Sequence, residues 1–311
     1  MEFRKIGALN VSVVGLGCNN FGRRLDANGA ATVVNAALDA GINFLDTADV
    51  YGSGQSEEFI GRALGKRRTE AIIATKFGNN MEGQGRGASP EYIRRAVEAS
   101  LRRLDTDYID LYQLHTPDPS VPIEDTLGAL NELVQAGQVR EIGVSNFSAK
   151  QIREAEAAAQ QIKTARSVSV QNEYNFFKRE PELDVLAECE RLGIAFLPYL
   201  PLAGGLLTGK YRKGQPLPTG TRISQSGSSY AALLTEHNLG VVESLIKFAE
   251  SRGHMILELA FAWLLSKPVV ASVIAGAMSP EQVHANAAAT WQMTSQDLAE
   301  INALLAGSER N

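Results

Sequence analysis

Asp46 and Tyr51 lie five residues apart, where the run Ile42-Asn43-Phe44-Leu45 ends. Lys76 closes Ala71-Ile72-Ile73-Ala74-Thr75, His115 closes the apolar run 108–114, and Ser145-Asn146 follow Ile142-Gly143-Val144. An acid, a phenol, an ammonium and an imidazole together can move a proton. A free phenol has a pKa near ~10, too high for efficient acid or base work at neutral pH. A lysine ammonium about 4 Å away, at an effective dielectric of ~20, favours the phenolate by ~4 kcal/mol. That corresponds to at most ~3 pKa units. The aspartate would hold the lysine's charge, and the histidine would donate to a carbonyl oxygen or share the proton. The expected product is a general acid tuned toward neutrality.

Residues this far apart in sequence need a scaffold that delivers them to one place. A parallel α/β barrel does so, because its chemistry gathers at the C-terminal ends of its strands. Eight strand candidates occur, at 13–18, 43–48, 71–77, 108–115, 141–145, 168–171, 195–199 and 270–275. They read as continuously apolar, as strands covered on both faces should. Amphipathic stretches alternate with them, the pattern of repeated βα units. Ser89 and Pro90 suit an N-cap and first helical position, with Ile93, Val97, Leu101 and Leu104 recurring behind them at helical spacing. Leu127, Leu130 and Val134 precede Gly137, which suits a helix end. Pro181 opens another helix that runs to Gly193. Helices are also expected at 241–251 and 256–265, one of them beyond the basic eight. Residues 1–10 with 11–14 form a short hairpin closing the barrel bottom. Segment 78–88 reads as a surface loop. Segment 203–239 shows no strand pattern, and a stretch of that length inside a compact unit is usually a functional lid. The fold class is thus α/β, a single (β/α)8 TIM barrel over 1–311 with an N-terminal β-hairpin and a long clamping loop.

Composition narrows the function classes. The 311 residues are 44% hydrophobic and 21% charged with net charge -5, which suits a globular protein and argues against a nucleic-acid surface. No apolar window approaches the ~18 residues of a spanning helix, and residues 1–5 are not followed by a secretory apolar region. Cys18 and Cys189 make neither a disulfide framework nor a metal cluster, so a reduced, cytoplasmic setting is expected. Only His115 of the four histidines ends a strand-like run, which leaves a multi-histidine metal centre without support.

The glycine-rich segments mimic nucleotide loops without completing them. Gly15-Leu16-Gly17 lacks its third glycine, because position 20 is Asn. In Gly204-Gly205-Leu206-Leu207-Thr208-Gly209-Lys210 the hydroxyl residue that should follow lysine to bind magnesium is Tyr211. The backbone amides of 204–209 and the charge of Lys210 can still hold a dinucleotide pyrophosphate.

The strings GINFLDTADVYG, ATKFG, SLRRLDTDYIDLYQLH, GQVREIGVSNF, VQNEYN and PYLPLAGGLLTGKY occur in order. Together they resemble the aldo-keto reductase superfamily, in particular its bacterial and potassium-channel-β-like members. The resemblance implies a (β/α)8 barrel that binds a nicotinamide cofactor without a Rossmann domain. It implies that Asp46, Tyr51, Lys76 and His115 are the catalytic tetrad, with Tyr51 protonating the carbonyl oxygen as hydride arrives. It implies further that Ser145, Asn146 and Gln171 hold the nicotinamide carboxamide and that Tyr199 stacks on its ring. Leu202 belongs to the same cofactor-binding group. Gly205, Leu206, Thr208 and Lys210 would strap the pyrophosphate, with Arg222 a further phosphate contact, and Gly276, Gln282 and Asn286 would hold the adenosine end. NADP(H) is the cofactor the family implies. Gln282 stands where many relatives carry arginine, and no basic residue stands near 277–278, so NAD(H) is the alternative.

Asn19 and Asn20, after the first barrel strand, are expected to line the substrate pocket, with Phe77 and Thr116 after the third and fourth. Several relatives carry tryptophan at the positions of Asn19 and Thr116, which implies a wider and more polar pocket here. Cys18 reads as a small pocket residue rather than a nucleophile, and the short tail after Trp291 as leaving the mouth less covered. The expected function is NAD(P)H-dependent reduction of a small aldehyde or ketone, reversibly, without a nucleic-acid or membrane partner. The competing readings are an NAD+-dependent sugar or polyol dehydrogenase and a cofactor-bound, channel-β-like regulatory subunit. Monomer and homo-oligomer are equally compatible with the sequence.

Overall fold

A computed structural model describes residues 1–83, 85–224, 229–289 and 291–308. Among the described residues ten strands occur in chain order: β1 (Phe3–Ile6), β2 (Leu9–Ser12), β3 (Val14–Gly17), β4 (Phe44–Asp46), β5 (Ile72–Phe77), β6 (Ile109–Leu114), β7 (Val139–Ser145), β8 (Ser167–Glu173), β9 (Ala195–Tyr199) and β10 (Val273–Gly276). The last eight close into a parallel barrel in the order β10-β3-β4-β5-β6-β7-β8-β9, so every strand after β3 pairs with its predecessor in sequence. This is the (β/α)8 TIM barrel that the alternation of runs predicts.

The antiparallel pair β1–β2 is the bottom plug, in register Phe3↔Ser12 to Ile6↔Leu9. Its turn falls at Gly7-Ala8, earlier than expected, and Val14 belongs to the barrel. Ile6, Leu9 and Val11 pack with Phe44, Ala74, Leu111 and Leu197 in an apolar cluster inside the barrel. Arg4 fixes the hairpin by donating to the carbonyls of Val270 (2.7 Å) and Leu265 (3.1 Å). A second, larger apolar shell lies between strands and helices, including Val97, Leu130, Phe196 and Trp263. At roughly 25 cal/mol per Å² of buried apolar surface, this shell is the main driving force for folding. The lower barrel is therefore filled with apolar side chains and only the upper end is free for chemistry.

Helix starts follow local chemistry. Ser89 caps Pro90–Leu104 by accepting from Tyr92 N, as expected, and Ser148 forms a capping box with Gln151 at the start of Ala149–Ile162. Two boundaries depart from expectation. The segment opening at Pro181 is a 3-10 turn, Glu180–Glu182, followed by a separate helix, Val185–Leu192, which ends at Gly193 in the left-handed region (φ 64). The helix expected from 241 begins at Glu236, because Thr235 accepts from Asn238 N and caps it there. That capping shortens the irregular stretch before it. The tail after Trp291 forms the helix Ser295–Ser308, held where Arg252 pairs with Asp297 and Glu300, both at 2.6 Å. No helix among the described residues is long and apolar enough to cross a membrane.

Candidate active site

Strand alternation sets the upper barrel end. Asp46 is the last residue of β4 and Lys76 the penultimate residue of β5, both facing inward. The ladder continues past the strands: Thr47 N donates to Ala74 O (2.8 Å), Asp49 N to Lys76 O (3.1 Å), His115 N to Phe77 O (2.8 Å) and Asn146 N to Gln171 O (3.0 Å). Each residue after a strand end is thereby fixed to its neighbour.

Lys76 is wholly buried. Its ammonium donates to Asp46 Oδ1 (2.8 Å), Asp46 Oδ2 (2.7 Å) and the Thr47 carbonyl (2.8 Å), which uses all three of its protons. Burial pushes its pKa down, but Asp46 and Tyr51 outweigh this and the net shift is upward. Removing either partner would leave an uncompensated buried charge.

The Tyr51 ring centroid is 5.4 Å from Lys76 Nζ and 5.9 Å from the His115 ring, edge-on at 80°. Burial raises the Tyr51 pKa, Lys76 pulls against it and Asp46 adds to it, and the net shift is upward. The expectation of a phenol tuned toward neutrality is thus reversed in the free protein. Desolvation of the phenolate exceeds the attraction of a lysine already neutralised by Asp46. Tyr51 is a protonated donor.

Burial, with the charge of Lys76, lowers the His115 pKa from 6.5 to about 3. The imidazole is neutral, and its buried Nδ1 has no hydrogen-bond partner. With no acceptor there, the ring proton belongs on Nε2. Cys18 touches the same cavity, but burial and Asp46 raise its thiol pKa well above the ordinary value, which makes it an inert wall.

A cavity of about 800 Å³ opens above this set. It is lined by Asn19, Asn20, Asp46, Tyr51 and His115 at one side and by Ser145, Asn146, Gln171, Tyr199 and Leu202 beside them. It continues under Gly205, Thr208, Lys210 and Arg222 to Gly276, Gln282 and Asn286. Ser145 Oγ donates to Gln171 O (2.7 Å), Tyr199 OH to Asn146 Oδ1 (2.8 Å) and Asn146 Nδ2 to His115 O (2.9 Å). Gln171 Nε2 donates to Asp46 Oδ1 (2.8 Å), which leaves Gln171 Oε1 for a ligand. Asn146 (φ 60), Leu200 (φ 53) and Ala203 (φ 47) are non-glycine residues in the left-handed region around this rim, the kind of backbone strain that collects at ligand sites.

The roof is the stretch from 203 to 234, of which 225–228 lie outside the described residues. It holds 3-10 turns at Ala203–Thr208 and Ser229–Leu233. Gly205 (φ 106) brings its backbone so near Lys210 that a Cβ would stand 3.3 Å from Nζ. A side chain there would be strained and would displace the amine. Arg222 latches the roof by donating to Asn20 Oδ1 (2.9 Å) and Asn19 Oδ1 (3.3 Å).

Three expected positions face elsewhere. Phe77 is fully buried and stacks on Tyr112 at 4.7 Å. It follows inward-facing Lys76, so alternation turns it to the outer layer. Thr116 donates to Asn79 Oδ1 (2.7 Å) and stands outside the cavity lining. Leu206 is buried in the shell beneath the roof, so only its backbone could meet a ligand. Conversely, Arg24 and Tyr230 line the cavity without having been singled out in the sequence. The basic pair Arg23-Arg24, four residues beyond Asn19-Asn20, was the available signal for the first.

The mouth of the eight-stranded barrel thus brings together a protonated tyrosine, a buried lysine–aspartate pair and a long roofed cavity. A family model described as the aldo/keto reductase family matches residues 13–306. The chain is 37% identical to a "probable voltage-gated potassium channel subunit beta" of Arabidopsis thaliana, over 92% of this chain and 90% of that protein. It is also 37% identical to the aldo-keto reductase YhdN of Bacillus subtilis, over 98% and 94%. A solved glycerol dehydrogenase of Gluconobacter oxydans superposes with TM-score 0.86 at 32% identity, covering 100% of this chain and 97% of that one. The chain belongs to the aldo-keto reductase family, whose members use nicotinamide cofactors.

Proposed function

We propose that the protein reduces an aldehyde or ketone to an alcohol with a nicotinamide dinucleotide, NADP(H) first and NAD(H) second, and that the reaction is reversible. The observation that carries the reading is the fully buried Lys76, pinned on Asp46 and Thr47, with Tyr51 and a neutral His115 against it over the cavity. The residues suit such a cofactor. Tyr199 offers a ring face, Ser145, Asn146 and Gln171 offer amide-matching groups, and Lys210 and Arg222 offer positive charge midway along the cavity. Gly205, Leu206, Thr208, Lys210 and Arg222 would hold the pyrophosphate, Gly276, Gln282 and Asn286 the adenosine end, and Leu202 the wall between.

The bound nicotinamide supplies or accepts the hydride. The chain supplies the rest. Tyr51 gives its proton to the carbonyl oxygen, and the Nε2–H of His115 donates to the same oxygen and orients it. Lys76 sits beside the phenolate left behind, and Asp46 keeps that lysine charged and fixed. Asn19 and Asn20 border the substrate. Because Tyr51 stays protonated well past neutrality, reduction should be flat across pH 6 to 9, whereas alcohol oxidation, which needs the phenolate, should rise with pH.

The same set run in reverse oxidises an alcohol, and the likeness to a glycerol dehydrogenase makes small polyols the first alcohols to try. The test is turnover of reactive aromatic aldehydes with NADPH and NADH by the purified protein, with Tyr51→Phe as control. Absence of nucleotide binding, or turnover that survives Tyr51→Phe, would sink the proposal.

A further inference from the structure

The charge in the cavity is unbalanced. Lys210 and Arg222 stand on the roof, and Arg24 reaches toward them from the loop between β3 and the helix Ala27–Asp39, where its Nη2 donates to Gly220 O (3.1 Å). Arg222 is tied to Asn19 and Asn20 of that same loop, so three cations converge from two sides on one stretch of cavity. Arg24 and Arg222 both depress the Lys210 pKa, after burial, the largest cause, which places the three within electrostatic reach of one another. Among the described residues lining the cavity Asp46 is the one carboxylate, and Lys76 neutralises it. The hydrogen bonds of Arg24 and Arg222 go to neutral oxygens, and among the described residues neither forms an ion pair with a carboxylate. In a chain of net charge -5, keeping three like charges together has a cost that a polyanionic ligand would relieve.

A dinucleotide pyrophosphate carries two negative charges, which Lys210 and Arg222 suffice to match if the function proposed above is right. The third cation has no partner in that accounting. We propose that Arg24 is a binding residue for a phosphate monoester additional to the pyrophosphate, held where the β3 loop meets the roof. Two ligands carry such a group to this site: a nucleotide phosphorylated on its adenosine ribose, and a small carbonyl substrate that is itself phosphorylated. The guanidinium of Arg24 has donors beyond the one on Gly220, and its fork matches phosphate oxygens. Arg24 shares its loop with Asn19 and Asn20, which line the same cavity.

The experiment compares the parent protein with Arg24→Gln and Arg24→Lys in two matched pairs. Dissociation constants are measured for NADPH and NADH, and KM for glyceraldehyde 3-phosphate and glyceraldehyde. Arg24→Gln is expected to weaken one phosphorylated member about tenfold more than its unphosphorylated counterpart, the scale of one charge-assisted contact. Arg24→Lys should restore most of that loss. A changed NADPH/NADH ratio identifies the nucleotide as source, and a changed substrate ratio identifies the carbonyl compound. Both ratios staying within twofold would overturn the proposal and leave Arg24 a structural tie to Gly220. Inorganic pyrophosphate and tripolyphosphate, tested by thermal shift at matched ionic strength, separate this from the function itself. If neither nucleotide binds but tripolyphosphate stabilises the parent more than Arg24→Gln, the functional reading fails and the anion site stands. If no polyphosphate stabilises the parent, the site fails too.

Discussion

The strand ends and the roof face each other across one cavity and hold their residues by different means. At the strand ends, Thr47, Asp49, His115 and Asn146 each donate a backbone N–H to the neighbouring strand, and Lys76, Asp46 and Gln171 are tied side chain to side chain. The described residues of the roof form no such ladder. Leu207, Tyr211 and Ile223 anchor it to the apolar shell, Arg212 and Lys213 pair with Glu243 and Glu236 on the helix Glu236–Glu250, and its polar ties across the cavity include the bonds from Arg222 to Asn19 and Asn20 and from Arg24 to Gly220. Proton transfer needs atoms placed within tenths of an ångström, which a closed barrel provides. A roof over a long ligand must also release it, and a segment held by side-chain ties opens at lower cost than a strand held by a backbone ladder. Under the proposed function, this difference assigns rate to the strands and affinity to the roof.

That division can be broken by substitutions on each side. Tyr51→Phe should lower kcat by about 10²- to 10⁴-fold, the range of a general acid, with the nucleotide dissociation constant within about twofold. A fall in affinity as large as the fall in rate would erase the distinction. Lys76→Met should destabilise the fold by roughly 3–5 kcal/mol, because Asp46 is left buried without its cation. Lys210→Met on the roof should change stability by less than about 1 kcal/mol. Urea denaturation of both variants reads this, and equal losses would contradict it.

Asp49 offers a pH-dependent version of the comparison within the strand-end side. Its carboxyl is buried, with Oδ1 unpartnered. Burial and Glu57 raise its pKa from 3.8 to about 7, opposed by the Val50 amide, Arg103 and Lys76. The folded protein therefore holds a proton that the unfolded chain loses between those values. Stability falls as pH rises through that window and levels off above it. The whole effect is up to about 4 kcal/mol. Asp49→Asn should be stabilised relative to the parent more at pH 8 than at pH 5. Taking the difference at each pH cancels His115, whose lowered pKa makes stability rise with pH between about 3 and 6.5. A difference independent of pH would show that Asp49 is ionised throughout. On the roof, Arg222→Gln should give a roughly tenfold weaker nucleotide complex with kcat unchanged at saturation, measured by fluorescence titration.

Much of the architecture was legible because it follows from local rules. Apolar runs separated by amphipathic stretches imply strands buried on both faces, and a polar residue at the end of each run marks the mouth. The capping signal at Ser89 and the punctuation at Gly193 acted where they stood. Boundaries shift where a second local signal competes: Thr235 starts its helix five residues before the expected 241, and the stretch from Pro181 breaks between Glu182 and Val185. Phe77 faces the outer shell instead of the pocket, the orientation that alternation from inward-facing Lys76 dictates.

The sequence by itself determined the closed barrel and the arrival of Asp46, Tyr51, Lys76 and His115 at one end of it, since period and chain order dictate both. Tertiary structure alone decided what these residues have as neighbours. Gln171 lies 125 positions from Asp46 yet donates to it, and Arg24 meets a roof almost two hundred residues away. At Tyr51, desolvation outweighs the lysine beside it. Those outcomes depend on register, on burial and on distances between distant segments. Side-chain charge and polarity are written in the chain, but the dielectric and the partner that each group meets exist only after it folds.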